Sequence, residues 1–182
     1  SLNMSAIHQL PVVWVVNNNQ YAYSTPNQLE FPVPTIAERA GAYGMPGVRV
    51  DAQDVLDVYR LARDAVERAR EGGGPTLIES LSLRWRGHAG HDPAKYVPKE
   101  LLEEYMTQKD PVRRFEELLR SRGIVSEQDV ADLDERIRAA FEAGYEYALT
   151  SPFPEPGDVT KGLYTDDGYW ASEPGRGGGT QT

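Results

Sequence analysis

The chain has 182 residues, and its hydrophobic content of 40% is sufficient for one globular domain with a buried core. A formal net charge of −9 argues against general nucleic-acid binding, which needs a basic surface, and against attraction to an anionic membrane. The chain has no cysteine, so disulfides and thiolate metal sites are excluded. The absence of cysteine fits a cytoplasmic protein, which is our expectation. The sequence shows neither a signal-peptide pattern at its start nor an apolar run long enough to cross a membrane.

The first strong signal is an apolar run at residues 12–16 that stops at three asparagines. Five consecutive apolar residues predict a strand that is buried on both faces of a parallel sheet. Ligands of such sheets bind beyond the carboxyl ends of the strands, where Asn17, Asn18 and Asn19 follow. Their side-chain oxygens suit Mg²⁺ beside phosphate, but asparagine is also a common turn residue. The spacing alone favours the turn.

The next elements predict a doubly wound α/β arrangement. Thr35 and Glu38 form a capping-box pattern that opens a short helix ending near Tyr43. In a later helix, apolar residues at three-and-four spacing, Tyr59 among them, define a buried face. The other expected elements are a helix within 2–10, a strand at 48–50, that later helix at 52–70 and a strand at 76–82. Two consecutive strand–helix–strand units indicate a parallel sheet.

The last part of the chain is predicted to be helical and then irregular. Helices are expected at residues 98–108, 111–122 and 127–149. Prolines and glycines dominate from residue 151, and the tail at 175–182 is expected to be disordered. The predicted division is an α/β part at 1–95, a helical region at 96–150 and an irregular tail at 151–182. Because three strands make a thin parallel sheet, we expect the α/β part to be the carboxyl-terminal half of a larger domain.

A basic cluster follows the third predicted strand of this acidic chain. Arg84, Arg86 and His88 alternate in sequence, so in an extended segment their side chains would point the same way. Guanidinium groups bind phosphate bidentately, and a histidine beside them can transfer protons near neutral pH. A basic surface loop that faces an acidic neighbour explains the cluster equally well. Taken together with the asparagines, the cluster predicts a metal–diphosphate site at the edge of the sheet.

At these residues the chain resembles the alpha subunit of thiamine-diphosphate-dependent 2-oxo acid dehydrogenases. That family includes the decarboxylating components of the pyruvate, branched-chain 2-oxo acid and acetoin dehydrogenase complexes. The resemblance is carried by the segments at residues 10–25, 39–51, 74–79, 84–88, 92–93 and 109–111. It extends over roughly residues 3–150 and is far more specific than any single motif. The implied fold is the thiamine-diphosphate-binding α/β fold, incomplete at its amino terminus and followed by a helical region.

The resemblance assigns roles to five residues. It implies that Asn19 ligates Mg²⁺ through its side chain and that Tyr21 does so through its backbone carbonyl. It places Ala22, Arg84 and His88 against thiamine diphosphate, and it makes Arg84 and His88 the catalytic residues. His88 would deliver a proton when the acyl group passes to lipoamide.

The activity that the resemblance implies is oxidative decarboxylation of pyruvate or a branched-chain 2-oxo acid, followed by acyl transfer to lipoamide. The implied partners are a beta subunit, in an assembly of two alpha and two beta subunits, and a lipoyl-bearing acyltransferase. An acetoin dehydrogenase alpha subunit is the alternative within the same chemistry.

The chain also departs from the family pattern. It lacks the Gly-Asp-Gly segment whose aspartate binds the metal, so a further alternative is an inactive fragment or a non-catalytic assembly module. On this basis we expect the chain alone to be inactive. Ala89 stands where some relatives carry a phosphorylated serine, which excludes phosphorylation at that position. Asp92 matches an aspartate that orders the loop around His88.

Overall fold

The computed structural model describes residues 1–161, so the predicted tail at 175–182 lies outside the described residues. The chain divides into two compact units, Ser1–Glu127 and Gln128–Thr182, of which the second is described as far as residue 161. The divisions predicted near residues 95 and 150 stay predictions. No helix within residues 1–161 is both long enough and apolar enough to span a membrane.

The predicted helices and strands occur in the predicted order, together with four short elements that were not predicted, at residues 21–22, 25–26, 27–30 and 156–160. They are α1 (Leu2–Ile7), β1 (Val13–Asn18), β2 (Tyr21–Ala22), β3 (Thr25–Pro26), α2 (Asn27–Glu30), a 3₁₀ helix (Ala37–Tyr43), β4 (Gly47–Asp51), α3 (Val55–Arg70), β5 (Thr76–Leu81), α4 (Lys99–Thr107), α5 (Pro111–Ser121), α6 (Glu127–Thr150) and a second 3₁₀ helix (Pro156–Thr160). The first 3₁₀ helix stands where a short helix was predicted, and Thr35 Oγ1 accepts a hydrogen bond from the Glu38 amide at 3.3 Å. α3 begins at Val55 rather than at residue 52, because the Asp54 carboxylate caps its first turn.

β1, β5 and β4 form a three-stranded parallel sheet in that order, which confirms the predicted α/β class. The strand that comes last in the sequence therefore lies in the middle, with β1 on one side and β4 on the other. Because all three strands run in the same direction, their carboxyl ends meet at one edge. Asn18, Leu81 and Asp51 are in register there, and this edge carries the candidate site.

β1 is longer than predicted, and it is not buried on both faces. Asn17 and Asn18 continue the strand instead of following it. Trp14 and Val16 pack against the core on one face of the sheet. Val15 points to the other face and is 64% exposed, because β1 is an edge strand and no described element covers this side chain. The expectation of burial on both faces is therefore wrong for Val15.

Three apolar clusters hold the first unit together. On one face of the sheet the cluster consists of Ala37, Ala40, Met45 and Leu77. The cluster on the opposite face consists of Val50, Ala65 and Ile78. The third lies beneath the predicted basic loop and consists of Leu83, Ala94, Val97 and Tyr105. α3 buries Ala65 and Ala69 as predicted, whereas Tyr59, predicted on the same face, is 63% exposed. The third cluster gives the basic loop a packed base at the carboxyl edge of the sheet.

Candidate functional site

The segment that follows β1 is a tight polar turn. The Gln20 amide donates to Asn18 Oδ1 at 3.1 Å, and the Tyr21 amide donates to Asn19 Oδ1 at 3.1 Å. Gln20 has a φ of 70°, in the left-handed region that a non-glycine residue rarely occupies. The side chains of Asn18 and Asn19 thus support a turn, as the spacing favoured, although Asn17 and Asn18 themselves belong to β1. An amide oxygen has two lone pairs, so Asn19 Oδ1 keeps one for a further ligand.

Gln20 ties this turn to the end of the neighbouring strand. Its Nε2 donates to the Ser82 carbonyl at 2.7 Å and to the Tyr105 hydroxyl at 3.3 Å. Ser82 Oγ donates to Asn17 Oδ1 at 2.7 Å, which adds a second link between the ends of β1 and β5. Sequence reasoning did not single out Gln20, Ser82 or Tyr105. The sequence offered one indication for them: β1 and β5 were predicted to be parallel, so the residues after their carboxyl ends should lie close together.

The basic loop follows β5 and is irregular rather than extended, so its three predicted cations do not align along a strand. Arg84 Nη1 lies 3.2 Å from His88 Nδ1. Arginine can only donate, so Nδ1 accepts this hydrogen bond and the imidazole carries its proton on Nε2. Arg86 is exposed and lines, with His88, an open pocket of about 500 Å³. The structure therefore pairs Arg84 with His88 and leaves Arg86 at the pocket wall.

Asp92 closes the basic loop on itself. Its carboxylate accepts hydrogen bonds from the His88 amide at 2.7 Å, the Ala94 amide at 2.9 Å and the Tyr96 hydroxyl at 2.8 Å. Donation from the Ala94 amide, then from the His88 amide and the Tyr96 hydroxyl, lowers the pKa of Asp92 below its usual value. The hydrogen bond from the Tyr96 hydroxyl to Asp92 raises the pKa of Tyr96. A Cβ at Gly87 would lie 2.1 Å from the Asp92 carbonyl oxygen, so this closure requires glycine. The loop-ordering role expected of Asp92 agrees with these contacts.

Aromatic contacts join the turn after β1 to the basic loop. The Tyr23 and His88 ring centroids are 5.1 Å apart, and those of Tyr21 and Tyr96 are 5.6 Å apart. Ala22 is exposed and pairs with Thr25 in a two-stranded ribbon beside these rings. Within residues 1–161, no hydrogen bond or ring contact links Asn19 directly to Arg84. The predicted cofactor residues therefore form two neighbouring groups that meet through Tyr23.

A second pocket lies beside the first group. It has a volume of about 490 Å³, which lies within the usual range for small-molecule sites, and Gln20, Tyr21 and Asn27 contribute to its wall. Asn19 Oδ1 and the Tyr21 carbonyl are neutral oxygens, the donor type that Mg²⁺ accepts alongside phosphate oxygens and carboxylates. The described residues contain no group of three or more histidines and carboxylates that could hold a metal. The oxygens present thus fit part of a magnesium shell that a diphosphate would share.

Comparisons with known proteins agree on one family. The model of the family described as "Dehydrogenase E1 component" matches residues 1–157. The chain is similar to pyruvate dehydrogenase E1 component subunit alpha of Porphyra purpurea, with 36% identity over 166 residues that cover 91% of this chain and 48% of the relative. It is 37% identical to the alpha subunit of acetoin:2,6-dichlorophenolindophenol oxidoreductase of Bacillus subtilis, covering 90% of this chain and 48% of the relative.

A third relative is named for a different substrate. The 2-oxoisovalerate dehydrogenase subunit alpha of Bacillus subtilis is 35% identical over 163 residues, which cover 89% of this chain and 49% of that protein. The chain spans about half the length of the curated relatives it matches. Its similarity to the pyruvate, acetoin and 2-oxoisovalerate relatives is of the same size, so identity alone does not select a substrate.

Proposed function

This chain belongs to the dehydrogenase E1 component family, and on that premise we propose that it forms the cofactor-binding part of an alpha subunit in a thiamine-diphosphate-dependent 2-oxo acid dehydrogenase. The observation that carries this proposal is the meeting of two groups at one sheet edge. Neutral oxygens at Asn19 and Tyr21 suit a metal, and the Tyr23 ring links their turn to the Arg84–His88 pair. A metal diphosphate needs both groups, because it presents a cation and phosphate oxygens side by side.

Each residue of the two groups has a separate binding role in this proposal. The Asn19 side chain and the Tyr21 carbonyl hold Mg²⁺, and the exposed ribbon at Ala22 borders the cofactor. Arg84 binds the diphosphate, since one of its five N–H groups is used by His88 and four remain. Bound thiamine diphosphate supplies the nucleophilic carbon and the electron sink that decarboxylation of a 2-oxo acid needs.

His88 acts as the proton donor for acyl transfer. Donation requires the imidazolium form, because a neutral imidazole N–H is too weak an acid to protonate a thiolate. Nδ1 therefore takes up a second proton when Arg84 turns from His88 to the diphosphate, and Nε2–H is then the group that donates. Contact with the Tyr23 ring limits tilting of the imidazole. We assign this proton to the sulfur that leaves the lipoyl ring when the other sulfur takes the acyl group. His88 is exposed, so solvent can return the proton after each turnover.

The proposed assembly contains two alpha and two beta subunits and is located in the cytoplasm. A lipoyl-bearing acyltransferase accepts the acyl group from it. The alpha-subunit names of the relatives support a beta-subunit partner. An acetoin dehydrogenase is the second candidate, because the acetoin-oxidising relative is as similar to the chain as the pyruvate relative. A non-catalytic assembly role is the remaining alternative.

Reduction of 2,6-dichlorophenolindophenol tests this proposal without the acyltransferase. The alpha subunit that carries this sequence, assembled with its beta subunit, is supplied with Mg²⁺, thiamine diphosphate and, in turn, pyruvate, 2-oxoisovalerate and acetoin. Cofactor-dependent reduction with either 2-oxo acid supports the first candidate, and reduction with acetoin alone selects the second. If no substrate supports reduction while the subunits assemble, the catalytic proposal fails and the assembly role replaces it.

A further inference from the structure

Glu79 is a fully buried carboxylate in the middle strand of the sheet, with an exposure of 0%. None of the ion pairs found among residues 1–161 includes it. Its oxygens instead accept two hydrogen bonds, from Asn18 Nδ2 at 2.6 Å and from the Ala37 amide at 3.0 Å. Burying a charge with no cation beside it is costly, so these two donors must account for its presence.

The two donors define the chemistry that position 79 needs. Asn18 Nδ2 and the Ala37 amide are both N–H groups, so both oxygens of Glu79 must accept. A glutamine would turn its NH₂ towards one of the donors. An aspartate has the right charge, but it is shorter by one methylene. A glutamate reaches both donors from this strand, with one oxygen for each.

Asn18 carries the influence of Glu79 into the turn after β1. Because its Nδ2 is directed at Glu79, its Oδ1 is directed the other way, where it accepts from the Gln20 amide at 3.1 Å and from Asn27 Nδ2 at 2.6 Å. Asn18 is 6% exposed, so water does not substitute for these partners. The hydrogen bond from the Gln20 amide supports the residue whose φ is 70°.

We propose that Glu79 is a positioning residue for the magnesium–diphosphate site, acting through Asn18 on the turn that presents Asn19 and Tyr21. This inference rests on the proposed function of the site. Without the carboxylate, the Asn18 amide loses the contact that sets its orientation, and the Gln20 turn loses its support. The oxygens of Asn19 and Tyr21 would then sample several directions instead of one. Glu79 itself is fully buried, so it acts on the site only through the residues that it contacts.

An exchange of side chains tests the proposal in the alpha subunit assembled with its beta subunit. Glu79→Gln removes one acceptor, and we expect it to weaken Mg²⁺-dependent binding of thiamine diphosphate about tenfold or more, as loss of a supporting hydrogen bond does at other metal sites. Adding Asn18→Asp restores the pattern, because the new carboxylate accepts from the new amide and still accepts from Gln20 and Asn27. The double variant is expected to bind within about threefold of the parent, since its hydrogen bonds are regained.

Binding is measured by calorimetric titration well below the unfolding temperature, and the thermal midpoint of each variant is measured without cofactor. Ile78→Ala is the matched control, because this neighbour is also buried but packs in the cluster on the opposite face of the sheet. The control should lower the thermal midpoint and leave the Kd for thiamine diphosphate unchanged. A purely structural role for Glu79 would give that same result, and it would overturn the proposal.

The remaining outcomes also decide the matter. If Glu79→Gln does not assemble, the double variant takes its place: assembly with near-parental binding supports the proposal. Assembly with binding still weakened tenfold, or no assembly, overturns it, because restored hydrogen bonds would then not be what position 79 provides. If the parent assembly binds no thiamine diphosphate at all, the proposed function of the site fails. If the parent binds and Glu79→Gln leaves the Kd unchanged, only the positioning role of Glu79 fails.

Discussion

Replacing Arg84 with alanine tests the proposed contact between the basic loop and the diphosphate. Arg84 is half-buried at the start of the basic loop, and its Nη1 lies 3.2 Å from His88 Nδ1. A hydrogen bond to a charged group contributes about 1.5–3 kcal/mol, so losing one diphosphate contact should raise the Kd roughly 10- to 150-fold. The Kd is read from calorimetric titration of thiamine diphosphate into the assembled alpha and beta subunits at saturating Mg²⁺.

Arg86→Ala is the matched control for this experiment. It removes the same charge from the same loop, but Arg86 is exposed and lies at the pocket wall. Exposed charges contribute about 0–1 kcal/mol, so the Kd should rise by no more than about fivefold. Equal effects of the two substitutions, or an unchanged Kd with Arg84→Ala, would refute the reasoning and make the cluster an ordinary basic surface loop.

Three further predictions concern the same edge of the sheet. His88→Ala should leave the Kd for thiamine diphosphate within about threefold of the parent while suppressing acyl transfer to lipoamide, and normal transfer in a coupled assay would contradict its role. Asn19→Ala should raise the Mg²⁺ concentration needed for half-maximal cofactor binding, and an unchanged requirement would refute the ligand assignment. Because the pKa of Asp92 is lowered in the folded loop, its contribution is complete above the ordinary aspartate pKa and is lost as pH falls through the lowered pKa. Trp85 fluorescence should therefore report loop opening only below about pH 4, and a transition that persists in Asp92→Asn would exclude Asp92 as its cause.

The sheet could be predicted because its information is local. A run of apolar residues marks β1. A capping aspartate marks the start of α3, and a glycine-rich stretch separates the end of α3 from β5. Asp54 caps α3 as such patterns predict. Tyr59 was misplaced because helical spacing identifies an apolar stripe but not how far the neighbouring sheet extends to cover it. Val15 was misplaced because an apolar run does not show that its strand lies at the edge of the sheet.

In the candidate site, residue type and sequence position identify only the polar residues that directly follow strands. Asn19, Arg84 and His88 stand out by residue type and by their position after strands. Glu79 and Asn18 are 61 positions apart, and nothing in their local sequence indicates that they meet. Their contact follows from the parallel register of β1 and β5, in which Asn18 pairs with Leu81 two residues beyond Glu79. The contact between Gln20 and Tyr105, 85 positions apart, was not predicted because it depends on how α4 packs near the turn after β1, which local sequence does not show.

The most direct test of the central claim is calorimetric titration of thiamine diphosphate into the assembled alpha and beta subunits, with Mg²⁺ and again with EDTA. The account predicts binding that requires Mg²⁺ and that weakens in both Asn19→Ala and Arg84→Ala, one variant from each group of the site. Binding that is indifferent to both substitutions would show that the turn after β1 and the basic loop do not form one cofactor site. Absence of binding in a well-assembled complex would contradict the cofactor assignment itself.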